Sequence, residues 1–262
     1  MPQPYIENIR RWVAESEVDY FSYFIKAWIP FNAWFRNHYD EGKSERNIID
    51  LIKSDGNVVR SRIIRLLSEA DAEADAFREH LAQLHLRLER HTLTNRSRRV
   101  TFTDCYIGTN SNNQATEVCN RVTYTLERST PRTPNNQVLC EVIGLGGRGL
   151  FHKLQLKYNL AELQAESSFI ALSQFQRSKI EALYKSINPR LEVDLSDTSN
   201  GHMNIGSIQF CNSPNNIFAG MVENIYSLRC LLFHGEVVPT SEINGVYESA
   251  YYILKRFIKS VV

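Results

Sequence analysis

Apolar side chains recur every three or four residues over two long parts of this chain, and that spacing limits the fold more than any other feature. Near the N-terminus the aromatic members of the pattern are Tyr20, Phe21, Phe24, Trp28, Phe31 and Phe35. A second set lies within residues 58–90, and the pattern returns after residue 154. Because an α-helix turns once in about 3.6 residues, this period predicts amphipathic helices that share a core.

The middle of the chain has a different composition. Between about residues 100 and 140, β-branched and aromatic residues dominate three stretches, VTFTDCYIG, EVCNRVTYTLE and QVLCEVIG, which the polar runs TNSNNQ and RSTPRTPNNQ separate. This composition predicts three strands. We therefore expect a mainly α fold, a helical bundle interrupted by a small β-rich insertion. Its parts are an N-terminal half at 1–95, the insertion at 96–150 and a C-terminal half at 151–262.

Local signals place several helix ends. Ser44 is a plausible N-cap of the helix RNIIDLIKS, and Asp55-Gly56 supplies the turn that ends it. Helix is also predicted across NLAELQAESSFIALSQFQRSKIEALYKSI, where Asn188-Pro189 stops it. After a polar connection at about 194–214, two final helices are expected, joined by GEVVPT.

Composition excludes several classes of protein. With 30 basic and 29 acidic residues the net charge is +1, so the chain lacks the broad positive surface of a non-specific polyanion binder. Its five cysteines form no CxxC or Cys/His pair, which indicates neither a disulfide framework nor a zinc site. No secretory signal or membrane span is evident. We expect a reduced, cytoplasmic protein without a cofactor or metal.

One arginine interrupts the apolar stripe of the predicted helix before GEVVPT. Arg229 projects near the middle of an arc formed by Phe218, Met221, Val222, Ile225, Leu228 and Leu232. His234 and Glu223 project about 140° and about 120° away from it. A structural interpretation is that Arg229 pairs with a carboxylate inside the bundle while His234 caps the helix and Gly235 makes the turn.

A resemblance favours a functional interpretation. The run Y-x-x-R-C-x-L-F-H-G, formed by Tyr226, Arg229, Cys230, Leu232, Phe233, His234 and Gly235, resembles the R-x4-H signature of the HEPN superfamily (higher eukaryotes and prokaryotes nucleotide-binding domains). The early helix KAWIPFNAWFRNHY is similar to the first core helix of that group. The resemblance implies a HEPN-like bundle, a homodimer in which two such motifs face each other, and metal-independent endoribonuclease activity.

The residue types suit that chemistry. RNA cleavage without metal uses the 2′-hydroxyl as nucleophile, so it needs a general base, a general acid and a fixed cation. His234 can serve as acid or base near neutral pH, and Arg229 is a permanent cation whose fork fits phosphate. Glu223 could orient His234, and Tyr226, Cys230 and Asn32 are further candidate supporting residues.

The expected role is that of a toxin or phage-defence effector that cleaves RNA and is restrained by an antitoxin or another defence-system protein. The alternative is a non-catalytic dimeric HEPN module for interaction or nucleotide binding. Cys230 and Leu231 favour this alternative, since many members carry polar residues there. A DNA-associated accessory protein is a third option, which the near-zero net charge disfavours.

Two other motifs have both a structural and a functional interpretation. A basic group near the end of the first helical region is either a solvated helix end or a local binding site for RNA phosphates. Its members are Arg87, Arg90, Arg96, Arg98 and Arg99. The run GLGGRG at 144–149 satisfies G-x-G-x-x-G, but no βαβ unit follows it, so we expect a turn that returns the chain to the bundle.

Overall fold

The computed structural model describes residues 9, 13, 18–39, 42–95, 98–129 and 137–261, and the statements below refer to these. Arg96, one of the predicted RNA-binding arginines, lies outside them. The chain divides into two compact units. Unit 1 comprises Met1–Ile107 and Glu192–Val262, and unit 2 comprises Gly108–Leu191.

Helices make up most of unit 1 and the last part of unit 2. Their bounds are α1 (Tyr20–Tyr39), α2 (Glu45–Ser54), α3 (Val58–Ser68), α4 (Ala72–Arg90), α5 (Leu160–Gln164), α6 (Ser167–Ile170), α7 (Gln174–Ser186), α8 (Pro214–Phe233) and α9 (Ser241–Lys259).

Strands alternate with these helices. Their bounds are β1 (Thr94–Asn95), β2 (Arg98–Arg99), β3 (Cys105–Thr109), β4 (Gln114–Cys119), β5 (Val122–Arg128), β6 (Val138–Ile143), β7 (Gly149–Gln155), β8 (Arg190–Val193), β9 (His202–Ile205) and β10 (Ile208–Cys211). They form one four-stranded sheet in the order β4-β5-β6-β7 and three two-stranded sheets, β1-β2, β3-β8 and β9-β10.

The core of unit 1 lies between α1, α4, α8 and α9. Helix α9 packs along α1 and α4, while α8 packs on α2 and α3. The aromatic period predicted for α1 is confirmed, because Phe24, Trp28, Phe31 and Phe35 are all buried. Pro30 is tolerated inside α1, where its side chain is exposed. The buried residues of these helices form a single apolar cluster.

Capping side chains fix the helix ends around α2 and α4. Ser44 caps α2 by accepting a hydrogen bond from the backbone N–H of Asn47, and Asp55 is the C-cap, so both predicted ends of α2 are confirmed. The long helical segment predicted over 58–90 is two helices. Asp71 interrupts it by accepting a hydrogen bond from the N–H of Ala74 at 2.8 Å, which starts α4.

The β-rich region contains more strands than predicted. The stretch EVCNRVTYTLE is a hairpin rather than one strand, since β4 and β5 pair antiparallel around Asn120 and Arg121. Those two residues have φ angles of 52° and 61°, as a type I′ turn requires. The run GLGGRG is likewise a hairpin connection, between β6 and β7, and Gly146 and Gly147 occupy left-handed conformations in it.

Unit 2 has an apolar core of its own. Tyr124, Leu126 and Cys140 of the four-stranded sheet are buried in one cluster with Ile180 and Tyr184 of α7. The sequence assigned residues from 151 onward to the helical bundle, whereas the structure places β7 and α5 to α7 with the sheet. The apolar residues of α7 cover the sheet face that would otherwise be exposed.

The predicted fold class, a mainly α bundle with a small β-rich insertion, is wrong. Helix accounts for 54% and strand for 20% of the structure, with four small antiparallel sheets, so the fold is mixed α/β. Strands that the sequence pattern did not predict explain this error. The segment GLFHKLQ forms β7, and the predicted polar connection at 194–214 contains the hairpin of β9 and β10. None of the described helices has both the length and the apolar character needed to cross a bilayer.

Candidate functional site

Helix α8 presents the R-x4-H motif at its C-terminal end. Ser213 accepts a hydrogen bond from the N–H of Asn216 at 3.4 Å and caps the helix, and Pro214 occupies its first turn. His234 is the C-cap, and its backbone N–H donates to the carbonyl of Cys230 at 3.0 Å. Gly235 then ends the helix with a φ of 68°, a left-handed conformation that favours glycine.

Arg229 lies half-buried at the interface of α8 with α1 and α2. Its Nη1 is 3.4 Å from Oε2 of Glu45, the first residue of α2. The guanidinium carbon is 4.6 Å from the ring centre of Phe233 and 5.6 Å from that of Trp28. Only 19% of the Arg229 side chain and 18% of the Glu45 side chain are exposed, so the ion pair is largely removed from water.

The ion pair of Glu45 and Arg229 is incompletely hydrogen-bonded. Oε1 of Glu45 and Nε of Arg229 are both buried, and neither has a hydrogen-bond partner in the described part of the chain. Leaving such groups unpaired is unfavourable, because each has lost its contact with water. The site therefore contains a buried cation whose donors are not all used.

His234 lies in a different environment. Its side chain is exposed, and it follows Phe233, which is 50% exposed. A cation at this position is favourable because the C-terminus of a helix carries partial negative charge. Five positions separate His234 from Arg229. Their side chains therefore project about 140° apart, and a single chain does not aim both at one point.

Both parts of the structural interpretation are present. Arg229 pairs with a carboxylate within its own unit, and His234 with Gly235 ends the helix. The pair and the cap account for the placement of both residues without catalysis. They do not account for the unpartnered Nε of Arg229.

Glu223 is held by cations rather than placed against His234. Its Oε1 accepts a hydrogen bond from Nη1 of Arg46 at 2.9 Å, and its Oε2 accepts from Nη2 of Arg46 at 2.7 Å and from Nζ of Lys53 at 2.6 Å. On an α-helix its position is about 16 Å of rise before His234. The structure thus gives Glu223 partners on α2 instead of the predicted role of orienting the histidine.

Glu223 belongs to a larger group that we call the ion-pair cluster, made of Arg46, Asp50, Lys53 and Glu223. Asp50 accepts from Nε of Arg46 at 3.3 Å and from Nη2 at 2.6 Å, and its Oδ1 is 3.1 Å from Nζ of Lys53. Lys53 also donates to the carbonyl of Tyr106 at 3.3 Å, so its three donors meet three acceptors. This saturation permits a lysine side chain that is only 1% exposed.

The ion-pair cluster shifts the pKa values of its members. Burial opposes the charge of Arg46, but hydrogen bonds with Glu223 and Asp50 outweigh it and raise the pKa. Burial likewise disfavours ionised Asp50, yet the hydrogen bond from Arg46 and the charge of Lys53 bring its pKa below the ordinary value. Burial lowers the pKa of Lys53, against the attraction of Glu223. The cluster therefore favours the ionised forms of Arg46 and Asp50, whereas burial disfavours the charged form of Lys53.

The other predicted supporting residues lie on α8 and α1. Tyr226 stands 6.3 Å from Trp28 between ring centres, and burial together with neighbouring Cys230 raises its pKa. Cys230 itself is buried. Asn32 is half-buried on α1, one turn after Trp28. None of these contacts places a reactive group of Tyr226, Cys230 or Asn32 against His234.

The predicted basic group is largely neutralised by carboxylates. Arg87 pairs with Glu248 at 2.9 Å, Arg98 with Glu192 at 2.9 Å and Arg99 with Glu89 at 2.9 Å. Arg90 is exposed. These pairings reduce the positive charge that the group could offer to RNA phosphates.

The partners of the motif on α2 were not predicted from the sequence. Glu45 and the ion-pair cluster emerged only from the structure, although one signal was present. Arg46, Asp50 and Lys53 are spaced i, i+4 and i+7, which places them on one helix face. Nothing in that spacing indicates that the face packs on α8.

Comparisons with known proteins do not assign the chain to a family. No family model matches it, and neither a curated protein nor a solved structure is significantly similar. Among the described residues, no group of three or more His, Cys, Asp or Glu side chains is arranged to hold a metal ion.

Proposed function

We propose that this protein is a metal-independent endoribonuclease of the HEPN type, acting in the cytoplasm as a toxin or phage-defence effector. The observation that carries the proposal is the combination at the end of α8 of an exposed imidazole, His234, with a guanidinium, Arg229, whose donors are not saturated. His234 acts as general acid or base, and Arg229 stabilises charge on the phosphoryl oxygens.

The proposal includes a homodimer. Because Arg229 and His234 of one chain project about 140° apart, one chain offers them in two directions. A twofold partner would bring the two motifs to one cleft, so that each phosphate meets groups from both chains. An antitoxin or another defence protein would restrain this activity in the cell.

The test is cleavage of total RNA in the presence of EDTA. Purified wild type should cut RNA and leave 2′,3′-cyclic phosphate ends, because the 2′-hydroxyl is the nucleophile. His234→Ala should cleave at least about 100-fold more slowly, since it lacks the acid–base group. Arg229→Ala should also lose cleavage. His152→Ala, which removes an exposed histidine of β7, is the matched control and should cleave normally.

Equal cleavage by wild type and His234→Ala, or cleavage by neither, would exclude the nuclease proposal. Circular dichroism must show that each variant folds. Dependence of the activity on added divalent metal would also contradict the proposed mechanism.

The second candidate function is a non-catalytic dimeric module for interaction or nucleotide binding. The observation that favours it is the pairing of Arg229 with Glu45, which gives the arginine a structural partner. Expression in bacteria separates the two functions. Growth arrest by wild type but not by His234→Ala or Arg229→Ala supports the nuclease, whereas growth unaffected by all three supports the module.

A further inference from the structure

We infer that Glu45 is an intramolecular competitor for Arg229: its carboxylate holds the guanidinium in a resting position from which an anionic ligand displaces it. The effect on catalysis rests on the proposed nuclease function, but the resting position itself does not. The ligand is a phosphate group, the chemistry that an arginine fork recognises with two parallel hydrogen bonds.

The first observation is the length of the contact. Nη1 of Arg229 is 3.4 Å from Oε2 of Glu45. Hydrogen bonds between a guanidinium and a carboxylate are normally about 2.7–2.9 Å long. The two groups therefore attract each other as charges without forming a well-made hydrogen bond. A contact of this kind holds the arginine but can be replaced.

The second observation is which atoms remain unpaired. Glu45 engages the arginine through Nη1, while Nε is buried and has no hydrogen-bond partner in the described structure. In a guanidinium, Nε and Nη2 form the edge that donates two parallel hydrogen bonds. Oε1 of Glu45 is also buried and unpaired. The resting pair thus leaves one donor atom of Arg229 and one acceptor atom of Glu45 unsatisfied, which favours exchange for a better partner.

The third observation concerns the cover over the guanidinium. Phe233 lies 4.6 Å from the guanidinium carbon and is 50% exposed, whereas Trp28 on the opposite helix is 2% exposed. The arginine therefore lies near one buried ring and one half-exposed ring. Phe233, the residue directly before His234, is thus the more exposed of the two rings near Arg229.

The resting position can be tested by chemical modification of arginine. Wild type, Glu45→Gln and Glu45→Asp are treated with p-hydroxyphenylglyoxal, and the rate at Arg229 is read by peptide mass spectrometry. Glu45→Gln removes the charge with little change in shape, so Arg229 should react several-fold faster. Glu45→Asp keeps the charge on a shorter side chain and should react at an intermediate rate. Inorganic phosphate should slow the reaction in Glu45→Gln more than in wild type.

The matched control is Glu73→Gln. Glu73 is also a carboxylate of unit 1 that binds arginines, Arg62 and Arg256, but it does not contact Arg229. This variant should leave the reactivity of Arg229 unchanged. An unchanged rate in Glu45→Gln, or an equal rise in Glu73→Gln, would overturn the inference. If Glu45→Gln does not fold, Glu45→Asp alone decides between an increased and an unchanged rate.

RNA cleavage provides the functional readout. Glu45→Gln should lower KM for RNA with little change in kcat, because the competing carboxylate no longer has to be displaced. A fall in kcat would instead show that Glu45 positions Arg229 for catalysis, and the competitor role would be wrong. If wild type cleaves no RNA, the proposed nuclease function fails, while the modification rates still decide whether Glu45 holds Arg229.

Discussion

Two neighbouring residues of α2, Glu45 and Arg46, make opposite kinds of contact with α8. Arg46 binds Glu223 through two hydrogen bonds of 2.9 and 2.7 Å and also binds Asp50 within its own helix. Glu45 meets Arg229 at a single distance of 3.4 Å, and each member of that pair keeps a buried polar atom without a partner. One interface therefore holds a well hydrogen-bonded ion pair and a poorly hydrogen-bonded one.

This difference shows that burial alone does not decide whether an arginine keeps an unused donor. Arg46 uses four of its N–H donors in hydrogen bonds to carboxylates, and Lys53 beside it has an acceptor for each of its three donors. Such groups have little donor capacity left for a ligand. Arg229 is also largely buried, but it retains an unused donor. We expect the middle of α8 to stabilise the fold and its C-terminal end to bind a phosphate group.

The largest expected effect comes from removing the shared carboxylate of the ion-pair cluster. Glu223→Ala leaves Arg46 without a bidentate partner and Lys53 without its closest acceptor in a buried site. The free energy of unfolding should fall by about 3–5 kcal/mol, as when one partner of a buried ion pair is lost. Urea denaturation followed by circular dichroism measures the change.

The control for this prediction is Glu69→Ala, because Glu69 pairs with Arg65 on the surface, where 39% and 54% of the side chains are exposed. This substitution should lower the free energy of unfolding by less than about 1 kcal/mol. If Glu223→Ala were as mild as this control, the ion-pair cluster would not be the structural part of the interface.

Double-mutant cycles compare the two pairs directly. The cycle of Arg46→Met with Glu223→Gln should give a coupling energy of about 2–3 kcal/mol, because well-formed charged hydrogen bonds are lost. The cycle of Arg229→Met with Glu45→Gln should give less than about 1 kcal/mol, since its single contact is long. Urea midpoints of the single and double variants supply both values. Equal coupling energies would remove the distinction between the pairs.

The smallest effect is a dependence on acid. The pKa of Asp50 is depressed below its ordinary value of 3.8 in the folded chain, where the hydrogen bond from Arg46 and the charge of Lys53 overcome burial. The stability that ionised Asp50 contributes is therefore fully present above pH 3.8 and is lost as the pH falls through the depressed value.

Asp50→Asn should accordingly be less stable than wild type at pH 7, and the difference should shrink as the pH falls below 3.8. Urea midpoints of both proteins over this range measure it. A difference that stays constant with pH would mean that the charge of Asp50 adds nothing to the ion-pair cluster.

Local patterns in the sequence predicted local structure well. The aromatic period of α1 identified its buried face, and Ser44 and Asp55 marked the ends of α2. The hairpin at Asn120 and Arg121 was missed because Arg121 is a residue type that seldom adopts positive φ, and its conformation is imposed by strand pairing. Helix α7 was predicted as helix but assigned to the wrong core, since periodicity shows that a face is apolar and not which surface it covers.

At the candidate site, too, the sequence predicted the local geometry but not the long-range partners. The spacing of Arg229 and His234 placed them about 140° apart at the end of one helix, which follows from helix geometry alone. Glu45 lies 184 positions before Arg229 in the chain, so no local pattern could join them. For the same reason the sequence suggested that Glu223 orients His234, which follows it on the same helix. Its partners in the structure are Arg46 and Lys53.

By itself, the sequence determined which residues form the main helices, which helix faces are apolar and which side chains of the R-x4-H motif are the candidates for chemistry, because these depend on backbone geometry and residue type. Only the tertiary structure decided that Arg46 makes four hydrogen bonds to carboxylates while Nε of Arg229 makes none. Hydrogen-bond saturation depends on distances of a few tenths of an ångström between helices, and packing sets those distances.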